Sequence, residues 1–377
     1  MQRIKAYLDS VAELAPLVAA SADRADRDRC LAREVVDALH RTGLFRMLLA
    51  EADGGGGLRL GDTFPVVEAM AHVDGAAGWN LAVGINTLGV LSSIPDPTAR
   101  ARLLGDRRML VAGSFNPTCL HARIVERGVV VDGRMTFASG SPHATLLAAL
   151  AVVDDGLPLI ALFPTDAAEL VDSWDACGMR ATGSHDWIVR EVHVPDAHWF
   201  RATTVGSPES DVMARLPLFT LLGPSLAFVA LGVARHACDL LVAVATSTTP
   251  FAAQQPLCDR ADVQIALAQA SGLIDAGRAH LTATWHDLET ALLSGRLPDP
   301  SDFARLRLAS VMSTQLAADA TDHVQRAAGS SSVYEGPGIA RCWRDVHAVT
   351  QHAMVSHRHL DRIGRVFLGL PPGPGPI

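Results

Sequence analysis

A mainly α-helical protein with a central β-domain is the fold class the sequence predicts. Three observations carry it. The chain has 377 residues, more than one small core holds. Hydrophobic residues make up 49% against 19% charged, enough to bury a large interior. The periodicity runs helical, then strand-like, then helical again.

The first segment, residues 1–110, reads as helical. Leu31, Val35, Leu39, Leu44 and Phe45 recur at helical steps, with Gly43 placed as a helix stop. A second apolar helix is expected from Thr63 to Val73. Between them, Asp53 to Gly57 is a glycine-rich loop; no strand precedes it, so it lacks the spacing that cradles a pyrophosphate. Residues 111–205 read as a β-domain. Short β-branched runs alternate with turn signals: Val129 to Val131 before Asp132-Gly133, Thr136-Phe137 before Ser139-Gly140, and Ile188 to Val194 closed by Pro195. Residues 206–370 return to the helical period, with breaks at Ser247 to Pro256 and Ser294 to Asp302, and 371–377 form a Pro- and Gly-rich flexible tail.

Composition narrows the function. A net charge of -8 with no dense basic run excludes the electrostatic footprint of a nucleic-acid binder, so small molecules are the expected partners. Lys5 is the one lysine, which excludes a P-loop or Schiff-base lysine in the body of the chain. The stretch from Leu216 to Ala234 carries no charge and is long enough to span a bilayer. It holds Pro217, Gly223, Pro224 and Gly232, however, and Arg235 and His236 follow directly, so it reads as the buried central helix of a bundle. Cys30, Cys119, Cys177, Cys238, Cys258 and Cys342 form no CxxC pair and no signal-peptide pattern opens the chain. They read as free buried thiols in a cytoplasmic protein.

Several motifs follow in the same order. Leu39 to Met47 reads LHRTGLFRM and Asp74 to Trp79 reads DGAAGW. Val131 to Ala144 reads VDGRMTFASGSPHA, Gly178 to Asp186 reads GMRATGSHD, and Tyr334 to His352 reads YEGPGIARCWRDVHAVTQH. Together with the helix–strand–helix order, they resemble the acyl-CoA dehydrogenase fold superfamily, and within it the two-component flavin-dependent monooxygenases. The resemblance implies an N-terminal helical domain, a middle barrel-like β-domain and a C-terminal four-helix bundle, assembled as a homotetramer. It also implies a noncovalent reduced FMN or FAD, supplied by a separate flavin reductase and held between the β-domain and the bundle. O2 would then form a C4a-hydroperoxide that oxygenates a small organic substrate, such as an aromatic compound, a polyketide or an amino sugar.

The resemblance assigns roles residue by residue. Phe137 would flank the isoalloxazine and Ser139 would bond N5 or O4; strand alternation would put the two on one face. Ser114 and Asn116, by the Asn116-Pro117-Thr118-Cys119 loop, are further cofactor-binding candidates, although relatives carry a glycine soon after that proline. His352 matches the histidine that supports the oxygen being transferred. Trp79, His143, His185 and Trp343 are candidates for the substrate pocket. The alternative is an acyl-CoA or acyl-carrier dehydrogenase in which Glu335, in Tyr334-Glu335-Gly336, removes an α-proton. No arginine stands near Thr248-Thr249-Pro250-Phe251, where dehydrogenases of this fold hold the FAD pyrophosphate, and this favours the diffusible flavin of a two-component enzyme. No metal is expected: on one helix, steps of five residues would turn His347, His352 and His357 to different faces.

Overall fold

The computed structural model describes residues 2–116, 120–154, 156–201, 216, 218–249, 255–334 and 338–373. Five helices come first: α1 (Gln2–Asp28), α2 (Arg33–Arg41), α3 (Leu60–Val73), α4 (Gly75–Val90) and α5 (Pro97–Gly105). Their ends follow local chemistry. Gly43, at φ 71°, takes the left-handed turn that follows α2. The Asp74 carboxylate accepts the Ala77 N–H and caps α4, and Asp96 with Pro97 opens α5 in the same way.

Among the described residues, eight strands follow: β1 (Val111–Ser114), β2 (Leu120–Val125), β3 (Gly128–Ala138), β4 (Leu146–Val153), β5 (Pro158–Pro164), β6 (Glu169–Val171), β7 (His185–Pro195) and β8 (Trp199–Arg201). The sheet order is β6-β7-β3-β2-β4-β5-β8, with β1 parallel to β4. The near-continuous apolar run of β4 is explained by burial on both faces. Leu147, Ala149 and Ala151 join Val129, Val131, Met135 and Trp187 in the interior of the β-domain. Leu146, Ala148 and Leu150 pack on the other side against Leu88, Leu91 and Leu104 of the N-terminal helices.

Helices α6 (Leu218–Ser247), α7 (Ala261–Leu293), α8 (Pro300–Ala328), α9 (Ile339–Thr350) and α10 (Leu360–Phe367) complete the described chain. Asp299 and Asp302 form a reciprocal capping box at the start of α8. The apolar α6 is the central helix, packed against α3, α4, α7, α8 and α9, as expected for the uncharged stretch. Thr220–Ser247 is long and apolar enough to cross a membrane, and 61% of its most apolar window is buried inside the protein. Gly232 lets α6 cross close to α3: a Cβ there would lie 2.5 Å from the Glu68 carbonyl oxygen.

Two expectations need correction. The cysteines are not all buried: Cys238 and Cys342 are, Cys30 and Cys258 are half-buried, and Cys177 is exposed. Cys119 lies outside the described residues. Helix α9 also stops at Thr350, so His347, His352 and His357 do not share one helix: His352 sits in a turn and His357 opens a short 3-10 turn.

Candidate active site

Three sequence-predicted residues come together where the β-domain meets the helices. Trp79, on α4, donates its indole N–H to Ser139 Oγ at 2.9 Å. The same indole meets His352 edge to face, with ring centroids 5.3 Å apart. Trp79 is therefore the link between a β-domain hydroxyl and an imidazole that follows the C-terminal bundle helix α9. Asn80, next on α4, bonds the Ala181 carbonyl at 3.3 Å and ties the helix to the loop before β7.

Phe137 and Ser139 do not share a strand face. The β3–β7 register slips between Met135 and Ala138, and Phe137 takes a φ of 58°. The alternation is broken there. Phe137 is left 67% exposed while Ser139, just past the end of β3, is 7% exposed. Phe137 is fixed nonetheless: its N–H donates to Asp186 at 3.2 Å, and its ring stands edge-on to Trp174 at 6.2 Å. His185 is buried and accepts the Trp174 backbone N–H at Nδ1, which holds the main chain that carries this ring, while the indole N–H donates to the Met179 carbonyl. Burial lowers its pKa and favours the neutral ring this bond requires.

His352 has a defined tautomer. Its Nδ1 accepts the Met354 N–H at 3.1 Å, so the neutral ring carries its hydrogen on Nε2 and presents a donor there. Burial, reinforced by the Arg307 guanidinium, lowers its pKa to about 4. Buried Arg307, on α8, donates to the Met354 carbonyl at 2.8 Å and so anchors the residue whose N–H meets the imidazole. The folded pKa lies below the ordinary 6.5, so the stability His352 contributes is full above about 6.5 and falls as the pH drops toward 4. His352→Gln is expected to flatten this part of the stability profile when denaturant midpoints are compared at about pH 5 and about pH 7.

The other predicted residues lie around this cluster. The Nε2 of His143 bonds the Leu31 carbonyl at 2.9 Å and lies 3.1 Å from Cys30 Sγ, which fastens the β-domain to the α1–α2 junction. Burial raises the Cys30 thiol to about 11, so this pair is not an activated nucleophile. Trp343 donates to Asp322 at 2.6 Å and packs on His347, which ties α9 to α8. Ser114 is buried at the end of β1, and Asn116 is exposed two residues later. Glu335 lies outside the described residues, as do Pro117 to Cys119 and residues 250–254 around the expected pyrophosphate region.

Sequence reasoning did not single out Asn80, Arg307, Thr182 or Ser184. The last two stand inside GMRATGSHD, where the motif gave their presence and not their contacts. Ser184 Oγ lies 2.8 Å from Ser139 Oγ and 2.7 Å from Thr182 Oγ1. Behind them, Asp345 of α9 accepts the Met179 N–H at 2.5 Å and holds α9 to the loop before β7. Burial raises Asp345 to about 7, with neighbouring Asp74 adding to the rise.

Residues 3–105 match the family model described as acyl-CoA dehydrogenase, N-terminal domain, and residues 225–357 match acyl-CoA dehydrogenase, C-terminal domain. The chain is 30% identical to indole-3-acetate monooxygenase of Pseudomonas putida, over 98% of this chain and 94% of that one. It is 26% identical to the flavin-dependent monooxygenase oxygenase subunit HsaA of Mycobacterium tuberculosis, over 98% and 97% of the two chains. The solved structure of XiaF from Streptomyces sp., in complex with FADH2 and glycerol, superposes with a TM-score of 0.89 at 23% identity, covering 99% of this chain and 98% of that one.

Proposed function

The chain belongs to the acyl-CoA dehydrogenase superfamily and, within it, to the flavin-dependent monooxygenases, and from that premise we propose that it is the oxygenase component of a two-component system acting on a small aromatic substrate. A separate reductase would supply reduced FMN or FAD. A cytoplasmic homotetramer is the proposed assembly, with an N-terminal helical domain to about residue 110, a flavin-facing β-domain to about 205 and a helical bundle after it. The alternative with Glu335 as an α-proton base is not favoured, since the full-length relatives are monooxygenases.

One observation carries the reading: Ser139 and His352 meet through the Trp79 indole. The residues beside them fit a flavin. Phe137 offers an exposed aromatic face braced by Trp174, and Ser139 offers a hydroxyl oxygen at the adjoining strand end. Gly140, at φ 79°, turns the chain there without a side chain. When bound, a reduced flavin supplies the electrons that activate O2 for transfer of one oxygen atom. Phe137 would support the ring plane, and Ser139 would bond at N5. His352, neutral with its hydrogen on Nε2, would donate to the oxygen being transferred. Trp79 orients both groups, and Trp79 and Ser139 are themselves buried.

Purified protein passed through gel filtration is expected to lose oxidised flavin and, under anaerobic conditions, to retain reduced flavin. A stoichiometric flavin that survives dialysis in the oxidised form would contradict the two-component reading.

A further inference from the structure

A line of hydrogen bonds leads from Trp79 through Ser139 into the loop before β7. Trp79 Nε1 lies 2.9 Å from Ser139 Oγ, Ser139 Oγ 2.8 Å from Ser184 Oγ, and Ser184 Oγ 2.7 Å from Thr182 Oγ1. The line ends where Thr182 Oγ1 meets the Met179 carbonyl oxygen at 2.8 Å. All four side chains are buried, so solvent does not compete for these bonds. The backbone holds their spacing, since the Gly140 N–H donates to the Thr182 carbonyl at 2.8 Å and joins the end of β3 to the loop.

The direction of the line is fixed from both ends. An indole N–H only donates, and a carbonyl oxygen only accepts. Thr182 must therefore give its hydrogen to Met179, and so it accepts from Ser184. Ser184, its own hydrogen committed, accepts from Ser139. One set of hydroxyl orientations satisfies all four bonds. In it, Ser139 accepts from Trp79, donates to Ser184 and keeps a single lone pair.

We propose that this ordered line leaves Ser139 only an acceptor to offer its flavin, its own hydrogen being held by Ser184, so that the site selects the redox state of that flavin. Ser139 can accept from the N5–H of a reduced flavin, whereas it opposes its lone pair to the bare N5 of an oxidised one. The inference rests on the reading that Ser139 faces N5. It makes Ser184 and Thr182 positioning residues: they set the direction of the Ser139 hydroxyl without being required to touch the cofactor. An oxygenase that receives its flavin already reduced, and must release it oxidised, gains turnover from this asymmetry.

The test is a pair of anaerobic titrations, with reduced and with oxidised FMN, giving the ratio of the two dissociation constants for each variant. Thr182→Val leaves Ser184 free to donate to Ser139 and so releases the Ser139 hydrogen toward the flavin. Ser184→Ala releases it directly. Both are expected to lower the preference for reduced flavin by about tenfold, the scale of one hydrogen bond gained or lost in a buried site. Ser184→Thr keeps a hydroxyl at this position and is expected to preserve the preference. Thr182→Val and Ser184→Ala act at different positions, so failure of one to fold leaves the other as the test. Ser139→Ala separates the two ways of failing. If it leaves the ratio unchanged, Ser139 does not meet the flavin and the underlying reading falls. If it changes the ratio while a folded Thr182→Val or Ser184→Ala variant matches the wild type, the reading stands and the ordered line is overturned.

Discussion

Replacing His352 by alanine is expected to divert O2 into hydrogen peroxide and to lower the yield of oxygenated product by ~10²–10³-fold, the scale of a lost preorganised donor. Substrate binding should be largely kept. The expectation follows from the tautomer: with Nδ1 engaged by the Met354 N–H, the hydrogen resides on Nε2. Burial and Arg307 keep the ring neutral down to about pH 4, so it retains this form at ordinary assay pH. Measuring product formed per reduced flavin consumed checks the prediction. Unchanged coupling would assign His352 to packing against Trp79 alone.

Gly178→Ala should have the largest effect on stability in the loop that joins β-domain to bundle. A Cβ there would lie 2.2 Å from the Arg344 carbonyl oxygen and 2.5 Å from its carbon, both backbone atoms of α9. No flexible side chain can give way, so the loop and α9 must separate, at about 1–3 kcal/mol or more for overpacking. The adjacent Met179 N–H to Asp345 bond would stretch or break, and a buried group left unmatched adds roughly 1–3 kcal/mol. A fall of several degrees in Tm, with reduced activity because His352 follows α9, is the expected result. An unchanged Tm would show that the loop accommodates the methyl group.

The order of elements was legible because periodicity reports burial. Where one face is buried the period is plain, as in α2 with Val35, Val36 and Leu39 facing inward. Helix α4 carries no such signal, since Gly75 to Ile85 is buried on every face, and a helix without a solvent face has no amphipathic period. Trp79 is therefore marked by a motif and not by a pattern, and the sequence does not mark Asn80 beside it. Alternation misled at Phe137 and Ser139, because the register slip in β3 is made by backbone geometry that the side-chain pattern does not encode. His352 is a candidate by its position in the sequence, yet its turn conformation and its dependence on Arg307, 45 positions earlier in the chain, are tertiary facts. The same holds for Thr182 and Ser184. Two hydroxyls in a loop are common, and their alignment behind Ser139 appears once β3 and β7 pair.

The proposed activity is transfer of an oxygen atom from O2 to an aromatic substrate using flavin reduced elsewhere. It is tested most directly by supplying the protein with a flavin reductase, FMN, NADH and 18O-labelled O2, with indole-3-acetate as the first aromatic probe and a panel of other arenes beside it. A product carrying one 18O atom is expected, formed only when both the reductase and this protein are present. Anaerobic bleaching of a bound flavin by an acyl thioester, with no 18O in any aromatic product, would contradict it.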